Sequence, residues 1–109
     1  MTVFTKVSVH GSKYVGVDER LRWARFEHPD LQHTSEQVQH SEEYAEFKVT
    51  LIIPSNGARA DGYGDCYKAD FAKFVQKAEE NALGNALGHL GYSSEAAIAF
   101  EKRQTTNPQ

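Results

Sequence analysis

The chain has little of what several large classes of protein depend on. Its single cysteine, Cys66, argues against an intrachain disulfide and against a cysteine-rich zinc site. It has no apolar run long enough to span a bilayer and no charged-then-apolar leader, so we expect a soluble, unexported protein with no membrane partner. It also lacks an excess of positive charge, because 12 Lys and Arg face 15 Asp and Glu, a formal net charge of -3.

That acidic balance is unlike the basic footprint typical of nucleic-acid binders, although net charge can hide a local patch. The 109 residues suffice for one small domain with a modest core, which oligomerisation would help to stabilise. We therefore expect a single domain over 1–109. Its core should span about 3–92, with a short helix and a polar tail over 93–109.

The residues of catalysis and metal binding do not form a recognisable arrangement. Zinc needs three or four converging ligands. None of the five histidines shares helical ligand spacing with another histidine or with Cys66; they are His10, His28, His33, His40 and His89. The carboxylate pairs Glu42-Glu43 and Glu79-Glu80 are sequence neighbours, whose side chains point apart. No phosphate-binding glycine loop and no nucleophile elbow occurs. We expect no enzyme activity, no metal and no cofactor.

The most informative segment is a helix that contains two glycines, Gly84 and Gly88, each costing about 1 kcal/mol relative to alanine. The surrounding apolar residues keep one helical face: Phe71, Val75, Ala78, Ala82, Ala86 and Leu90. Gly91 is suited to the C-terminal cap. Two small residues four positions apart allow another backbone to approach the helix closely. At Gly84 and Gly88 that neighbour is either the sheet of the same chain or a neighbouring subunit.

The rest of the pattern predicts strands before this helix. Alternation over Val3–His10 and a turn near Gly11 predict a hairpin, and Asp18 is a plausible cap for a short helix that ends before Pro29. Three strands should follow, over Leu31–Gln39, Tyr44–Ile53 and Ala58–Tyr63. After Tyr92, Ser93 or Ser94 can cap a last short helix that carries Ile98 and Phe100. The predicted fold is α+β: an N-terminal β-hairpin and short helix, then an antiparallel three-stranded sheet covered by the long C-terminal helix, a β-β-β-α core.

Three pieces of this sequence resemble a known family in their order and spacing. They are Gly62-Tyr63-Gly64 followed by the helix that ends in ALGNALGHLGY, the opening Val7–Val17 with Asp18–Trp23, and His28-Pro29-Asp30. From Val7 to Tyr92 the chain resembles the single-strand annealing proteins of the Rad fifty-two superfamily, particularly the short phage and prophage members. The resemblance implies single-stranded DNA binding and annealing in phage or mobile-element recombination and repair. It also implies a homo-oligomeric ring or filament in the cytoplasm of a bacterial or phage-infected cell.

Annealing needs a groove of Lys and Arg that holds phosphates and leaves base edges free. The resemblance places one cation on Lys13 and further cations on Gly84, Asn85 and Gly88, none of which is basic here. Either other residues hold DNA or the DNA affinity is weakened or altered, and the candidate cations are Lys13, Arg20, Arg22, Arg59, Lys73 and Lys77. Each could equally be an ordinary solvated charge, and Tyr63 either stacks on a base or anchors the strand in the core. The alternative function is a structural or regulatory homo-oligomer of the same fold with weak or lost DNA binding.

Overall fold

The computed structural model describes residues 6–9 and 12–106, with side chains over 14–103. Within that part the elements are β1 (Lys6–Val9), β2 (Ser12–Val15), α1 (Val17–Glu27), β3 (Gln32–His40), β4 (Tyr44–Ile53), β5 (Ala58–Tyr67), α2 (Phe74–Leu90) and α3 (Ser94–Thr106). The predicted α+β fold is confirmed. The turn predicted over His10-Gly11-Ser12-Lys13 is wrong for Ser12 and Lys13, which lie in β2, and His10 and Gly11 lie outside the described residues.

The three long strands form one antiparallel sheet in the order β3-β4-β5, and β1 and β2 form a separate antiparallel pair. The alternation of β4 directs one set of side chains beneath α2: Ala45, Phe47, Val49, Leu51 and Ile53. Helix α2 packs on β5 and β4, so β3 extends beyond it. Strand β5 is four residues longer than predicted, since pairing with β4 continues to Tyr67.

Among the described glycines, those of β5 and not those of α2 make the closest approach to another element. A Cβ atom on Gly62 would run into the backbone of Ala82 and Ala86, and one on Gly64 into the backbone of Asn81 and Ala82. The helical face opposite them carries the small residues Ala78, Ala82 and Ala86. The Gly62-Tyr63-Gly64 motif therefore lets α2 lie directly on the backbone of β5.

The interpretation that Gly84 and Gly88 bring α2 tight onto its own sheet is wrong for both residues. A Cβ on Gly84 would lie 3.0 Å from side-chain atoms of Arg20 and Val17, so Gly84 faces α1. A Cβ on Gly88 would meet no atom within 4 Å. Contact between subunits at these glycines stays a prediction.

Helices α1 and α3 close the far end of the core around the one tryptophan. The ring of Trp23 stands edge-on to Tyr92 at 4.6 Å between centroids and lies 5.1 Å from Phe100. Glu27 accepts hydrogen bonds from the Trp23 indole at 2.8 Å and from the Tyr92 hydroxyl at 2.7 Å. Ile98 and Phe100 thus pack on their own chain.

Of the four predicted helix ends one is wrong; α1 ends at Glu27, before Pro29, and Ser93 caps α3, both as predicted. Gly16, and not Asp18, occupies the N-cap of α1, and it makes no side-chain capping bond; Asp18 lies in the first turn, where a carboxylate favours the helix dipole. Gly91 ends α2 with φ 106°, the left-handed conformation expected of its cap.

Candidate nucleic-acid interface

A cleft of about 540 Å³ opens between α2, the C-terminal half of β5 and the start of α3. Its walls include Tyr14, Arg20, Gly64, Asn85, Gly88 and Ser93. Gly84 also lines it, at the point where α1 and α2 meet. The two helix glycines therefore keep this cleft open, because any larger side chain on α2 there would project into it.

Arg20 is the cation of the cleft, and it is only 5 % exposed. Its Nη1 lies 3.3 Å from the carbonyl oxygen of Tyr92 and 3.5 Å from that of Gly84, and its Nη2 lies 3.4 Å from the Tyr14 hydroxyl. Its Nε has no hydrogen-bond partner. Among the described side chains no carboxylate pairs with Arg20. A buried guanidinium with long bonds and no counter-ion leaves donor capacity for an anion.

Of the remaining polar groups of the cleft, some favour the binding of an anion and others oppose it. The Ser93 hydroxyl accepts the Ala96 N–H at 3.0 Å and so caps α3, whose N-terminus favours negative charge. Glu95 also lines the cleft, and its negative charge opposes an anion; Asp65 lines it too, but its carboxylate accepts a hydrogen bond from the Tyr44 hydroxyl. The cleft can therefore hold a phosphate group, at an affinity that Glu95 limits.

A row of polar side chains on α2 closes the free edge of β5. Asn81 donates to the carbonyl of Asp65 at 3.0 Å, Asn85 to that of Tyr63 at 2.6 Å, and the His89 ring bonds that of Asp61 at 2.6 Å. Because a carbonyl only accepts, the His89 Nδ1 carries the proton. We call Asn81, Asn85 and His89 the edge-closing residues.

These residues were missed by the sequence analysis, which treated Asn85 only as a lost cation. Their spacing of four places them on one side of α2, next to the alanine face that lies on β5. A polar row at that spacing beside a row of alanines was the available signal. Asn85 therefore has a structural task, since its amide satisfies the backbone of an edge strand.

The predicted cations do not converge on the cleft. Of the five whose side chains are described, only Arg20 lines it. Arg22 is 75 % exposed and pairs with Glu19, and Arg59 lies 3.8 Å from Asp61. Lys13 has its backbone in β2 opposite Ser8, and its side chain lies outside the described residues.

Lys73 and Lys77 lie at the other end of the layer from Arg59. Lys73 directly precedes α2, and Lys77 lies 3.7 Å from Glu80 with its ammonium 5.2 Å from the Phe71 ring centre. Helix α2 runs antiparallel to β5, because Gly62 meets Ala86 whereas Gly64 meets Ala82. The start of α2 therefore lies beside the end of β5, roughly 25 Å from Arg59 at the strand rise of about 3.3 Å per residue.

The face of the sheet opposite α2 carries aromatic side chains among carboxylates. Tyr63 is 54 % exposed there, with the Lys48 ammonium 5.8 Å from its ring, so the interpretation of Tyr63 as a core anchor is wrong. Tyr44 and Tyr67 lie 4.7 Å apart, and the Tyr44 hydroxyl donates to Asp65 at 3.0 Å. Desolvation and that carboxylate raise the pKa of Tyr44 to about 12. The acidic groups leave this face poorly suited to phosphates.

Two further properties of the described residues limit the chemistry. They contain no group of three or more His, Cys, Asp or Glu side chains placed to hold a metal ion. None of their helices has the length and apolar character needed to cross a bilayer. Comparison with known proteins adds no relative: no family model, no curated protein and no solved structure matches this chain.

Proposed function

We propose that the chain binds single-stranded DNA through its phosphates, and that it anneals complementary strands as a homo-oligomer in phage or mobile-element recombination. The observation that carries the proposal is the buried Arg20 without a counter-ion, placed in an open cleft beside a helix N-terminus. The order of motifs from Val7 to Tyr92, which resembles the single-strand annealing proteins, supports the same assignment. Annealing would place the protein with nucleic acid in the cytoplasm.

A phosphate is the ligand whose chemistry suits this cleft. Its oxygens accept hydrogen bonds, and the guanidinium offers fixed donors of matching geometry. The Tyr14 hydroxyl lies beside those donors, 3.4 Å from Arg20 Nη2. A phosphate contact leaves the base edges free, which annealing to a second strand requires.

The test measures fluorescence anisotropy of a labelled oligothymidylate at several salt concentrations. Wild type should bind at low salt and weaken as salt rises, with a slope of about 0.7 per phosphate contact. Gly88→Glu should abolish binding, since Gly88 has open space around it and a glutamate would place a negative charge in the cleft. Gly88→Ala adds an uncharged methyl group at the same atom and should weaken binding far less.

Two further variants test the residues that the resemblance singles out. Lys13→Ala should lower affinity and reduce the salt slope by about 0.7, the value of one single-strand phosphate contact. Asn85→Arg should steepen the slope, because an arginine on α2 would add a cation at the cleft. If wild type and Asn85→Arg both fail to bind at low salt, DNA binding is refuted.

A second candidate function is a structural or regulatory homo-oligomer of the same fold with weak or lost DNA binding. The observation that favours it is the hydrogen bond that the Asn85 amide donates to the Tyr63 carbonyl, which engages this amide within the fold and not with a ligand. The acidic balance of the chain agrees with it. This candidate predicts an oligomer whose size and stability do not respond to single-stranded DNA at any salt concentration.

A further inference from the structure

The two edges of the three-stranded sheet are treated differently by the fold. The β5 edge is closed by the edge-closing residues of α2. Among the described residues the β3 edge has no such cover, because β3 pairs only with β4 and its ring contact with α2, between His40 and Phe74 at 6.1 Å, involves side chains alone. Eight of the nine β3 residues are exposed, and His33 is half-buried. Within the described residues, β3 is therefore the open edge of this sheet.

The hydrogen-bond alternation of an antiparallel sheet identifies which β3 groups point outward. The carbonyls of Asp61, Tyr63 and Asp65 face α2, so their partners on β4 must bond to β3 instead. Two of those partners, Lys48 and Thr50, lie opposite Glu36 and Thr34. It follows that the outward backbone N–H and C=O groups of β3 belong to His33, Ser35 and Gln37.

The outward groups of β3 have no partner in the described part of the chain. Among residues 6–9 and 12–106, no hydrogen bond from outside the sheet reaches the backbone of His33, Ser35 or Gln37. The contact of the Ser35 hydroxyl with the His33 ring, at 3.4 Å, involves side chains alone. Lysine and proline, which often protect an edge, are absent from Gln32–His40, and Glu36 is its one charged residue. The irregular pairing of β3, another such device, is confined to the end of the strand between Gln37 and Gln39.

We propose that β3 pairs antiparallel with β3 of a second copy of this chain about a two-fold axis at Ser35, which joins two sheets into one of six strands. The inference rests on the homo-oligomer of the proposed function and not on DNA binding. A second copy is the occupant because a sheet with one open edge makes a closed, self-complementary contact with the same edge of another copy. Pairing of two like edges then leaves no further strand to add.

Charge selects the register of this pairing. An axis at Glu36 would place two carboxylates directly opposite each other, which is unfavourable. An axis at Ser35 places His33 opposite Gln37 of the partner subunit, and Thr34 opposite Glu36 of the partner subunit, with no like charges facing. It also uses the outward groups of all three residues. The irregular pairing between Gln37 and Gln39 marks where the straight part of β3 ends.

The test is the particle mass in solution by light scattering, with charge-swapped variants at the axis. Wild type should have an even multiple of the 12.2 kDa chain mass. Ser35→Lys and Ser35→Asp should each halve that mass, because each places like charges opposite one another across the axis. An equimolar mixture of the two should restore the wild-type mass. Thr34→Lys should make the particle more resistant to dilution, since the lysine would face Glu36 of the partner subunit.

Controls separate this outcome from misfolding and from the DNA proposal. Ser35 is exposed, so both Ser35 variants should keep the wild-type circular dichroism spectrum, and Gln76→Lys on exposed α2 surface should keep the wild-type mass. Ser35→Pro should also halve the mass, because its lost N–H points outward. A wild-type mass of one chain or an odd number of chains, unchanged mass in Ser35→Lys, or a mixture that stays dissociated overturns the β3 pairing. Oligothymidylate binding by wild type and by Ser35→Lys, measured alongside, shows independently whether the DNA proposal stands.

Discussion

Substitution of Gly62 by alanine tests how closely α2 lies on β5. The added Cβ would lie 2.8 Å from the Cα of Ala86 and 2.5 Å from the carbonyl oxygen of Ala82, both of them backbone atoms in the middle of a 17-residue helix. No rotamer change can relieve a contact with backbone, so the helix must move away from the sheet. Overpacking usually costs about 1–3 kcal/mol, and we expect about 3 kcal/mol here. At roughly 4 °C per kcal/mol for a domain of this size, the melting temperature should fall by about 12 °C.

Thermal unfolding followed by circular dichroism, together with urea unfolding, measures this loss. Gly88→Ala is the matched control, because it adds the same methyl group where no atom lies within 4 Å. In the last turn of α2 it should raise the free energy of unfolding, by at most about 1 kcal/mol, from helix propensity alone. Melting of Gly62→Ala at the wild-type temperature, or equal destabilisation by both variants, would refute the reasoning.

Two further predictions concern single side chains. Glu27→Ala should lower the free energy of unfolding by about 1–3 kcal/mol, since it removes the acceptor of the hydrogen bonds from the Trp23 indole and the Tyr92 hydroxyl. Glu27→Gln should cost less because it keeps an acceptor, and Trp23 fluorescence in urea measures both variants. Burial, then the charge of Arg25, lowers the pKa of His33 below 6.5 against the opposing effect of Glu79. The unfolded chain therefore takes up this proton first, so stability should be full above pH 6.5 and decrease on acidification, and His33→Gln should flatten that part of the urea-unfolding pH profile.

The elements with a clear hydrophobic period could be predicted from the sequence. The bounds of β4 were predicted without error, because five alternating apolar residues fix both its extent and its buried face. The C-terminus of α2 was also predicted, because a helix C-cap in the left-handed conformation favours glycine and Gly91 has that conformation. The weakly patterned β3, predicted over Leu31–Gln39, differs from the structure by one residue at each end.

The close contacts could not be predicted, because a close approach depends on a pair of elements and sequence shows one element at a time. A glycine in a helix costs stability, which drew attention to Gly84 and Gly88. The glycines that α2 contacts lie instead on β5, where a strand glycine is less conspicuous. The burial of Arg20 could not be predicted for the same reason, because it is covered by residues of α2 and by Tyr92, all distant in sequence from α1.

The choice between the two candidate functions turns on one side chain with two possible tasks. An arginine at position 85 could bind a phosphate in the cleft, whereas Asn85 closes the β5 edge through the Tyr63 carbonyl. Closure of the β5 edge leaves β3 as the open edge of the sheet. Asn85 therefore adds no positive charge to the cleft and at the same time helps to confine strand pairing to β3. Asn85→Arg therefore separates the two tasks. If it strengthens DNA binding and leaves the particle mass unchanged, Asn81 and His89 suffice to close the β5 edge without Asn85. If instead the mass becomes larger or heterogeneous, β5 has opened to pairing, and Asn85 is required for assembly.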